Sequence, residues 1–412
     1  MQRLGDAVRF FVGAVLVLLV TTAAGLGGAV AGAKGTERVL GVLGLGVLLH
    51  LLSGVLLLRL LYRRREYPWR RAIPIALGWT AVVTAAALAT FWPQPPVAPP
   101  TLLDRGAPFA RVRLPTGSEI AFAQIGDASL RPRIVFLHGG PGGFVRASDV
   151  ELARSLAASG FSVVLYDQAG GGASAPLPVR DYTVARHVAD LEALRAHLGD
   201  ERVALVGQSW GARLAYEYFV AHPERVTRMV LLSPGPLRAA HASFDVSSAG
   251  GRGPSFPPYV LLAFVLFQLS PESALDYMPR DELDAYAASQ LEAASRRAVC
   301  RSTLDRLRPF EPTRGADAYG MIAIRTQIGN ADAPAPPANV RVPSVVLRGE
   351  CDYLVRAAAQ DYADVIGARV VDVPGVGHQL WFPELAPIVA RIVEALREGA
   401  PPPPPQVPAP AR

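Results

Sequence analysis

Three long apolar segments fill the first 92 residues of this 412-residue chain. They cover about residues 8–31, 39–61 and 72–92. Each holds about 20 residues or more, so each can cross a hydrocarbon core of roughly 30 Å as an α-helix. The sequence therefore predicts a membrane domain over residues 1–92 with three transmembrane helices. A signal peptide is the alternative for the first segment, but the segment is too long for one and two further spans follow it.

The charges are divided unevenly between the membrane segment and the rest of the chain. Residues 1–71 hold ten Lys or Arg against three Asp or Glu, whereas the other residues hold 31 basic and 32 acidic side chains. The net charge of +6 thus belongs to the membrane segment and does not indicate a nucleic-acid partner. Arg63–Arg65 and Arg70–Arg71 share one short loop, which the positive-inside tendency places in the cytoplasm. We therefore expect a multi-pass protein of the cell membrane with a cytoplasmic N-terminus. Everything after Trp92 is then expected on the outer, periplasmic or extracellular face.

Proline-rich segments border the region that follows. Residues 93–108 are predicted to form a stiff, extended linker, and residues 399–412 a low-complexity, disordered tail. Between them short β-branched strands alternate with helical patterns, which is typical of a mostly parallel sheet with helices on both faces. The alternation stops over residues 236–342, so we expect a core in two parts, 109–235 and 343–398, separated by a helical lid or cap insertion. The candidate strands are Arg111–Leu114, Ile120–Ile125, Ile134–Leu137, Ser162–Tyr166, Arg202–Val206, Arg228–Leu232, Ser344–Leu347 and Arg369–Val373.

The pentapeptide GQSWG, residues 207–211, lies between a candidate strand and a helical pattern that starts at Ala212. This is the strand–turn–helix context that a G-x-S-x-G nucleophile elbow requires. Glycine is required on both sides of the serine, because a Cβ there would crowd the neighbouring strand and helix. The following helix also directs backbone N–H groups at the site. We therefore predict that Ser209 is a nucleophile.

A serine hydroxyl is a weak nucleophile and needs a base that a third group orients. In this kind of fold the chain order is serine, acid, histidine. Three histidines follow the elbow: His222, His241 and His378. His222 is too far along its helix to return to the hydroxyl, and His241 has no strand before it. His378 follows a candidate strand in a glycine-rich turn, so it is the predicted base.

Two acidic residues follow the candidate strand Ser344–Leu347 and could orient that base. Asp352 is the predicted acid, and its neighbour Glu350 is the alternative. Asp352 and His378 would both lie at the carboxyl ends of parallel strands, which is where open α/β sheets bind their ligands.

A glycine-rich loop of sequence HGGPGG, residues 138–143, follows the candidate strand Ile134–Leu137. Its lack of side chains lets backbone N–H groups approach a substrate oxygen, and the N–H of Trp210 would supply a second donor. A phosphate-binding P-loop is excluded, because the glycine spacing differs and no lysine occurs after Lys34. The chain has no HExxH and no CxxC motif, so we predict no metal and no cofactor.

The chain has two cysteines, Cys300 and Cys351. An outward-facing domain permits a disulfide between them. The sequence leaves their pairing open, and it also leaves the oligomeric state open.

Together these motifs resemble the α/β-hydrolase superfamily, and within it the proline iminopeptidase-like branch (peptidase family S33). The resemblance covers about residues 109–398 outside the insertion. It implies Ser209 as nucleophile, His378 as base and Asp352 as orienting acid. It also implies an oxyanion hole formed by the N–H groups of Gly140 and Trp210, with His138, Gly139, Pro141 and Gly142 as the supporting loop.

The chain departs from that branch in two places. The branch carries a DQRGxGxS segment, which here reads DQAGGGAS with Ala169 in place of the arginine. Its aminopeptidases also bind the substrate's amino group with glutamates in the cap, near a tryptophan-containing motif. The insertion of this chain has no tryptophan, and its acidic residues do not match that pattern.

The sequence favours a membrane-anchored serine hydrolase, acting through an acyl-enzyme on N-terminal aminoacyl or peptide bonds. The alternative is an esterase or lipase of acyl esters. The apolar segment Val260–Leu269 could line a lipophilic pocket for such substrates, or it could pack as lid core. The second alternative is a catalytically inactive binding protein, and the complete triad argues against it. The expected partners are a small-molecule or peptide substrate and the lipid bilayer.

Overall fold

The computed structural model describes residues 2–61, 69–94, 102, 104–243, 247, 249, 256–307, 313–338 and 340–398. The arginines of the predicted cytoplasmic loop at 63–65, half of the proline-rich linker and the tail at 399–412 lie outside these residues. The chain divides into two compact units. The first combines Met1–Pro96 with Ser255–Leu283, and the second combines Val97–Pro254 with Asp284–Arg412.

Thirteen α-helices and eight strands are present in the described ranges. The helices are α1 Gln2–Gly35, α2 Val39–Leu61, α3 Trp69–Phe91, α4 Ala147–Ala158, α5 Val184–His197, α6 Trp210–Ala221, α7 Pro258–Leu269, α8 Pro271–Tyr277, α9 Arg280–Ser289, α10 Leu291–Arg297, α11 Ala318–Asn330, α12 Arg356–Ile366 and α13 Ala386–Arg397. The strands are β1 Ala110–Arg113, β2 Glu119–Ile125, β3 Arg133–Leu137, β4 Val163–Asp167, β5 Val203–Gln208, β6 Val226–Leu232, β7 Ser344–Cys351 and β8 Arg369–Gly377.

The first unit contains three helices that are long and apolar enough to cross a membrane. Their apolar spans are Val15–Gly35, Val39–Leu60 and Ile73–Phe91. The second and third agree with the sequence-based bounds to within one residue. The first ends later than the expected 8–31, because α1 continues to Gly35 before the turn to α2.

Glycines allow α1 and α2 to approach each other closely. A Cβ built on Gly28 would lie 2.7 Å from the Leu45 carbonyl oxygen, and one on Gly32 would lie 2.9 Å from the Val42 Cα. Small residues spaced four apart are the usual device by which helices pack in lipid. Gly27, the neighbour of Gly28, has nothing within 4 Å of its Cβ position.

We predict that Gly28→Ala destabilises the packing of α1 on α2, whereas Gly27→Ala leaves it unchanged. The added methyl would overlap backbone atoms that cannot move aside, at a cost of about 1–3 kcal/mol. Both variants change glycine to alanine in the same helix, so intrinsic helix propensity is matched. The measurement is the thermal unfolding of the full chain in detergent. Equal melting temperatures for the two variants would contradict this packing.

The second unit is built on one sheet of eight strands in the order β1-β2-β4-β3-β5-β6-β7-β8. β2 is antiparallel to β1 and to β4, and all pairs from β4 to β8 are parallel. All eight candidate strands are present, with shifts of a few residues at their ends. The predicted mostly parallel sheet is therefore confirmed.

Both faces of this sheet are buried, which explains why its strands are continuous apolar runs. In β3 every residue is buried. Val135 and Leu137 pack in one apolar cluster with α5 and α6, and Ile134 and Phe136 pack in another with α4 and α13. Successive side chains of a strand point to opposite faces. The helices thus cover the sheet on both sides, as the alternating pattern predicted.

Candidate active site

The elbow serine has a strained backbone. Ser209 lies between β5 and α6 with φ +56° and ψ −117°, a region that non-glycine residues rarely adopt and that clusters at functional sites. Its N–H donates to the Leu232 carbonyl at 2.9 Å, and its own carbonyl accepts from the Gly235 N–H at 2.9 Å. The turn is therefore held by β6 and by the loop that follows it, and the serine remains 8% exposed.

The glycines on either side of Ser209 are required by close backbone contacts. A Cβ on Gly207 would lie 2.4 Å from the Gly211 carbonyl oxygen, and one on Gly211 would lie 2.0 Å from the Leu137 carbonyl oxygen. Neither contact can be relieved by rotating a side chain, because backbone atoms make both. This agrees with the physical reason that the sequence analysis gave for G-x-S-x-G.

The predicted base and acid are in contact. Nδ1 of His378 lies 2.7 Å from Oδ1 of Asp352, and both residues are 4% exposed. His378 follows the last residue of β8 and Asp352 the last residue of β7, and Cys351 pairs with Gly377 in the ladder. The parallel pairing of these two strands therefore brings the two loops together at one edge of the sheet.

Asp352 is held as a carboxylate. Burial alone would raise its pKa, but the His378 charge and hydrogen bonds from His378, the Leu354 N–H and Ser233 outweigh burial and lower the pKa. The Leu354 N–H donates to Oδ1 at 2.9 Å. An ionised Asp352 favours the imidazole tautomer that carries its proton on Nδ1, which leaves Nε2 able to accept a proton.

The Ser209 hydroxyl makes no hydrogen bond to the His378 ring among the described residues. Catalytic hydrogen bonds are often long before substrate binds. Two other contacts fix the position of the histidine. Gln208, beside the serine, donates from its side-chain amide to the His378 carbonyl at 3.4 Å. The Tyr353 ring lies 4.2 Å from the His378 ring, centroid to centroid, at 37°.

The alternative acid and the other histidines have different partners. Glu350 is exposed and accepts a hydrogen bond from the Gly375 N–H at 2.8 Å. His241 lies 3.0 Å from the Asp361 carboxylate, and His222 caps the carboxyl end of α6.

The glycine-rich loop after β3 packs directly on the elbow. A Cβ on Gly139 would lie 3.2 Å from the Ser209 Cβ, and Gly140 has φ +144°. Gly142 has φ +68°, and its carbonyl accepts from the Asp317 N–H at 2.9 Å. Glycine is needed at these close approaches and left-handed conformations. Pro141 stands between them in the same loop.

His138 fixes the start of this loop as a neutral side chain. Burial lowers its pKa, so the uncharged ring is favoured. The Gln168 N–H donates to Nε2 at 3.0 Å, which makes Nε2 the acceptor. Nδ1 then carries the proton and donates to the Gly139 carbonyl at 2.9 Å. The ring thus orients the Gly139 peptide next to the serine.

Gln168 is a residue that the sequence analysis did not single out. Its side-chain amide donates to the His138 carbonyl at 3.0 Å, and its side-chain oxygen accepts from the Trp210 indole N–H at 2.7 Å. It therefore links the two segments predicted to form the oxyanion hole, the loop after β3 and the first residue of α6. The DQAGGGAS segment that contains Gln168 is visible in the sequence, but its hydrogen-bond partners are not.

Ser233 was also missed. It is fully buried and has φ +43°. Its hydroxyl accepts from the Gly349 N–H at 3.4 Å and also contributes a hydrogen bond that lowers the pKa of Asp352. Nothing in the pattern around it marks a functional position, because it follows an ordinary buried strand.

The two cysteines form a disulfide, which answers the question that the sequence left open. Cys300, between α10 and α11, is bonded to Cys351, the residue before Asp352. Nearby, the Gln379 N–H donates to the Ala298 carbonyl at 2.9 Å. The same insertion segment is thus fixed to the Asp352 loop by a covalent bond and to the His378 loop by a hydrogen bond. A cross-link across 51 residues stabilises a fold by about 4 kcal/mol in the chain-entropy model.

In the ranges that the structure describes, no group of three or more His, Cys, Asp or Glu is arranged to hold a metal ion.

Residues 132–380 match a family model described as alpha/beta hydrolase fold. Among solved structures, a hydrolase from Pseudomonas aeruginosa aligns with a TM-score of 0.52 at 20% identity, covering 71% of this chain and 99% of that one. An enol-lactonase from Burkholderia xenovorans aligns with a TM-score of 0.50 at 20% identity, covering 70% and 99%. At this identity the structural likeness concerns the fold alone.

Curated relatives match a shorter stretch at higher identity. A probable proline iminopeptidase of Leptolyngbya boryana is 35% identical over 128 residues, which is 30% of this chain and 39% of that protein. A proline iminopeptidase of Lactobacillus helveticus is 39% identical over 123 residues, which is 28% and 40%. The chain thus spans about two fifths of the length of the relatives it matches. The predicted resemblance to this branch is confirmed.

We predict that Gly211→Ala lowers the reactivity of Ser209 by roughly 100-fold. The methyl group would displace the start of α6 from the end of β3, and a shift of about 1 Å in a reacting group costs roughly 100-fold in rate. The measurement is the rate at which a fluorophosphonate probe labels the full chain. Gly329→Ala in α11, where a Cβ meets nothing within 4 Å, is the matched control and should label at the original rate. Undiminished labelling of Gly211→Ala would show that the elbow tolerates the shift.

Proposed function

Because this chain belongs to the α/β-hydrolase fold family, we propose that it is a serine hydrolase that acts through a Ser209–His378–Asp352 triad while anchored in a membrane. The observation that carries the proposal is the buried 2.7 Å contact between His378 and Asp352. It lies at the same sheet edge as a serine in a strained strand-to-helix turn. An orienting acid, a base and an exposed nucleophile are the parts that acyl transfer needs.

In the proposed mechanism the Ser209 hydroxyl attacks the acyl carbon of the substrate and His378 Nε2 takes its proton. Asp352, whose lowered pKa keeps it ionised, stabilises the imidazolium that forms. His378 then gives the proton to the leaving group. A water molecule, activated by His378 in turn, attacks the acyl-enzyme and releases the acid.

The negative charge that develops on the substrate oxygen needs preorganised donors. The N–H of Trp210 is the first of α6, and the first N–H groups of a helix lack partners within the helix. The second donor is the N–H of Gly140. Gln168 fixes the glycine-rich loop and the start of α6 relative to each other, since it hydrogen-bonds to His138 and to the Trp210 indole.

The proposed substrates are N-terminal aminoacyl or peptide bonds. The support is the 35% and 39% identity to proline iminopeptidases over 128 and 123 residues of this chain. Acyl esters are the second candidate, because the insertion has no tryptophan and lacks the cap pattern of those aminopeptidases. The full chain in detergent should be tested on prolyl and other aminoacyl arylamides beside short- and long-chain acyl esters. Cleavage that needs a free amino group supports the first class, and cleavage of esters alone supports the second.

We predict that Ser209→Ala removes turnover of every such substrate and that Asp352→Asn lowers kcat by about 10⁴. The asparagine would favour the wrong imidazole tautomer while it preserves the shape of the loop. Glu350→Gln is the matched control, since Glu350 is exposed in the same segment and should keep kcat within a few-fold. A larger loss for Glu350→Gln than for Asp352→Asn would assign the acid to Glu350.

The hydrolase unit is proposed to lie on the outer side of the membrane. The support is the disulfide between the chain's two cysteines, because disulfides persist in oxidising compartments and are rare in the cytosol. Of the arginines whose charge predicts the same orientation, Arg63–Arg65 lie outside the described residues, and Arg70 and Arg71 belong to the first turn of α3.

We predict that neither cysteine reacts with a polyethylene-glycol maleimide in cells that are acid-quenched before lysis. Reduction before labelling should then add two labels, which is read as a shift on a denaturing gel. Because the chain has two cysteines in all, the shift reports on this bond alone. Two labels without reduction would place the unit in a reducing compartment.

A further inference from the structure

Part of the cap insertion packs with the apolar helices instead of with the sheet. α7 and α8 follow β6 in the chain, yet they belong to the same compact unit as α1, α2 and α3. We propose that α7 is an additional membrane-contacting helix, with its exposed face against the acyl chains of the outer leaflet. The proposal rests on the membrane anchoring proposed above and extends it to the cap.

Polar contacts fix these two helices at one end of the three-helix unit. Ser273 of α8 donates to the Thr36 carbonyl at 3.0 Å, and the Asp276 carboxylate accepts from the Val39 N–H at 2.9 Å. Thr36 and Val39 form the turn between α1 and α2. This is the end at which the predicted topology has the chain leave the membrane on the outer side.

The end of α3 contributes to the same contacts. The Tyr259 hydroxyl of α7 donates to the Gln94 carbonyl at 3.0 Å, and the Tyr277 hydroxyl of α8 donates to the Phe91 carbonyl. Trp92, beside them, is 65% exposed. Tyr and Trp are enriched where membrane meets water, since their rings are apolar and their polar atoms reach water or backbone. The aromatic residues therefore place α7 at the depth of the interface.

The outward face of α7 is apolar at Leu261 and Val265 and ends in the exposed polar residue Gln268. Leu261 and Val265, one turn apart, are 47% and 54% exposed, and every residue from Val260 to Phe267 is apolar. Such a helix is normally buried in a core or in lipid. With 12 residues it is too short to span a bilayer, so it fits a position in the interface.

The surroundings of α7 favour lipid as the material that covers its exposed face. α7 packs on α1 and α3, and α3 has exposed apolar side chains of its own, with Val82 and Leu88 61% and 44% exposed. If the exposed surface of α1, α2 and α3 contacts acyl chains, we expect the exposed face of α7, which packs on α1 and α3, to contact acyl chains as well. The cap would then be attached to the membrane by its own helix, in addition to the linker at residues 93–108.

The test is depth-dependent quenching in lipid vesicles. Leu261→Cys and Val265→Cys are each labelled with bimane in the full chain, whose native cysteines are oxidised, and reconstituted with brominated phospholipids. Val82→Cys on α3 is the positive control, and Glu292→Cys on α10, an exposed position in the other unit, is the negative control. Labelling of Ser209 by a fluorophosphonate probe checks that each variant is folded.

We expect the probes at 261 and 265 to lose fluorescence to a similar extent as the probe at 82, most strongly with bromine near the headgroups, and the probe at 292 to lose none. Quenching at 82 without quenching at 261 and 265 would overturn the inference and leave the membrane anchor intact. That outcome would also follow if a second copy or another protein covered α7. Absence of quenching at 82 would overturn the anchor itself, and with it the role of α7.

Discussion

The close contact between Gly211 and the carbonyl of Leu137 determines the rest of the site. It sets α6 directly on the end of β3, and this forces Ser209 into the strained turn between β5 and α6. The same approach brings the glycine-rich loop after β3 against the serine. Strain of this kind persists only where the surrounding structure over-determines it. Here the hydrogen bonds to Leu232 and Gly235 and the buried sheet provide that support.

The second determining feature is the pairing of β7 with β8. Asp352 and His378 are far apart in sequence and meet because each follows the end of its strand in one parallel ladder. Gln168 and His138 fix the glycine-rich loop beside the serine in a comparable way, through hydrogen bonds between the ends of β4 and β3. The pairing of the strands thus brings the residues of the candidate site together, and hydrogen bonds from a small set of buried polar groups fix their positions.

Much of this organisation was accessible from the sequence, because its signals are local. The eight strands follow from continuous β-branched runs, and the serine elbow follows from two glycines whose Cβ atoms would meet backbone. The contributions of Gln168 and Ser233 were not accessible, since a hydrogen bond across the sheet leaves no periodic trace. The position of α7 was missed for a different reason. An apolar run of 12 residues reads the same whether it packs in a lid or against other apolar helices.

The disulfide between Cys300 and Cys351 has a consequence for how substrate reaches the serine. It joins the insertion to the residue beside Asp352, so this edge cannot separate from the sheet while the bond is intact. Any opening of the insertion must then be a rotation about this edge, with the widest movement on the side away from it. A reducing environment would remove the pivot and leave the acid loop and the insertion free to move apart.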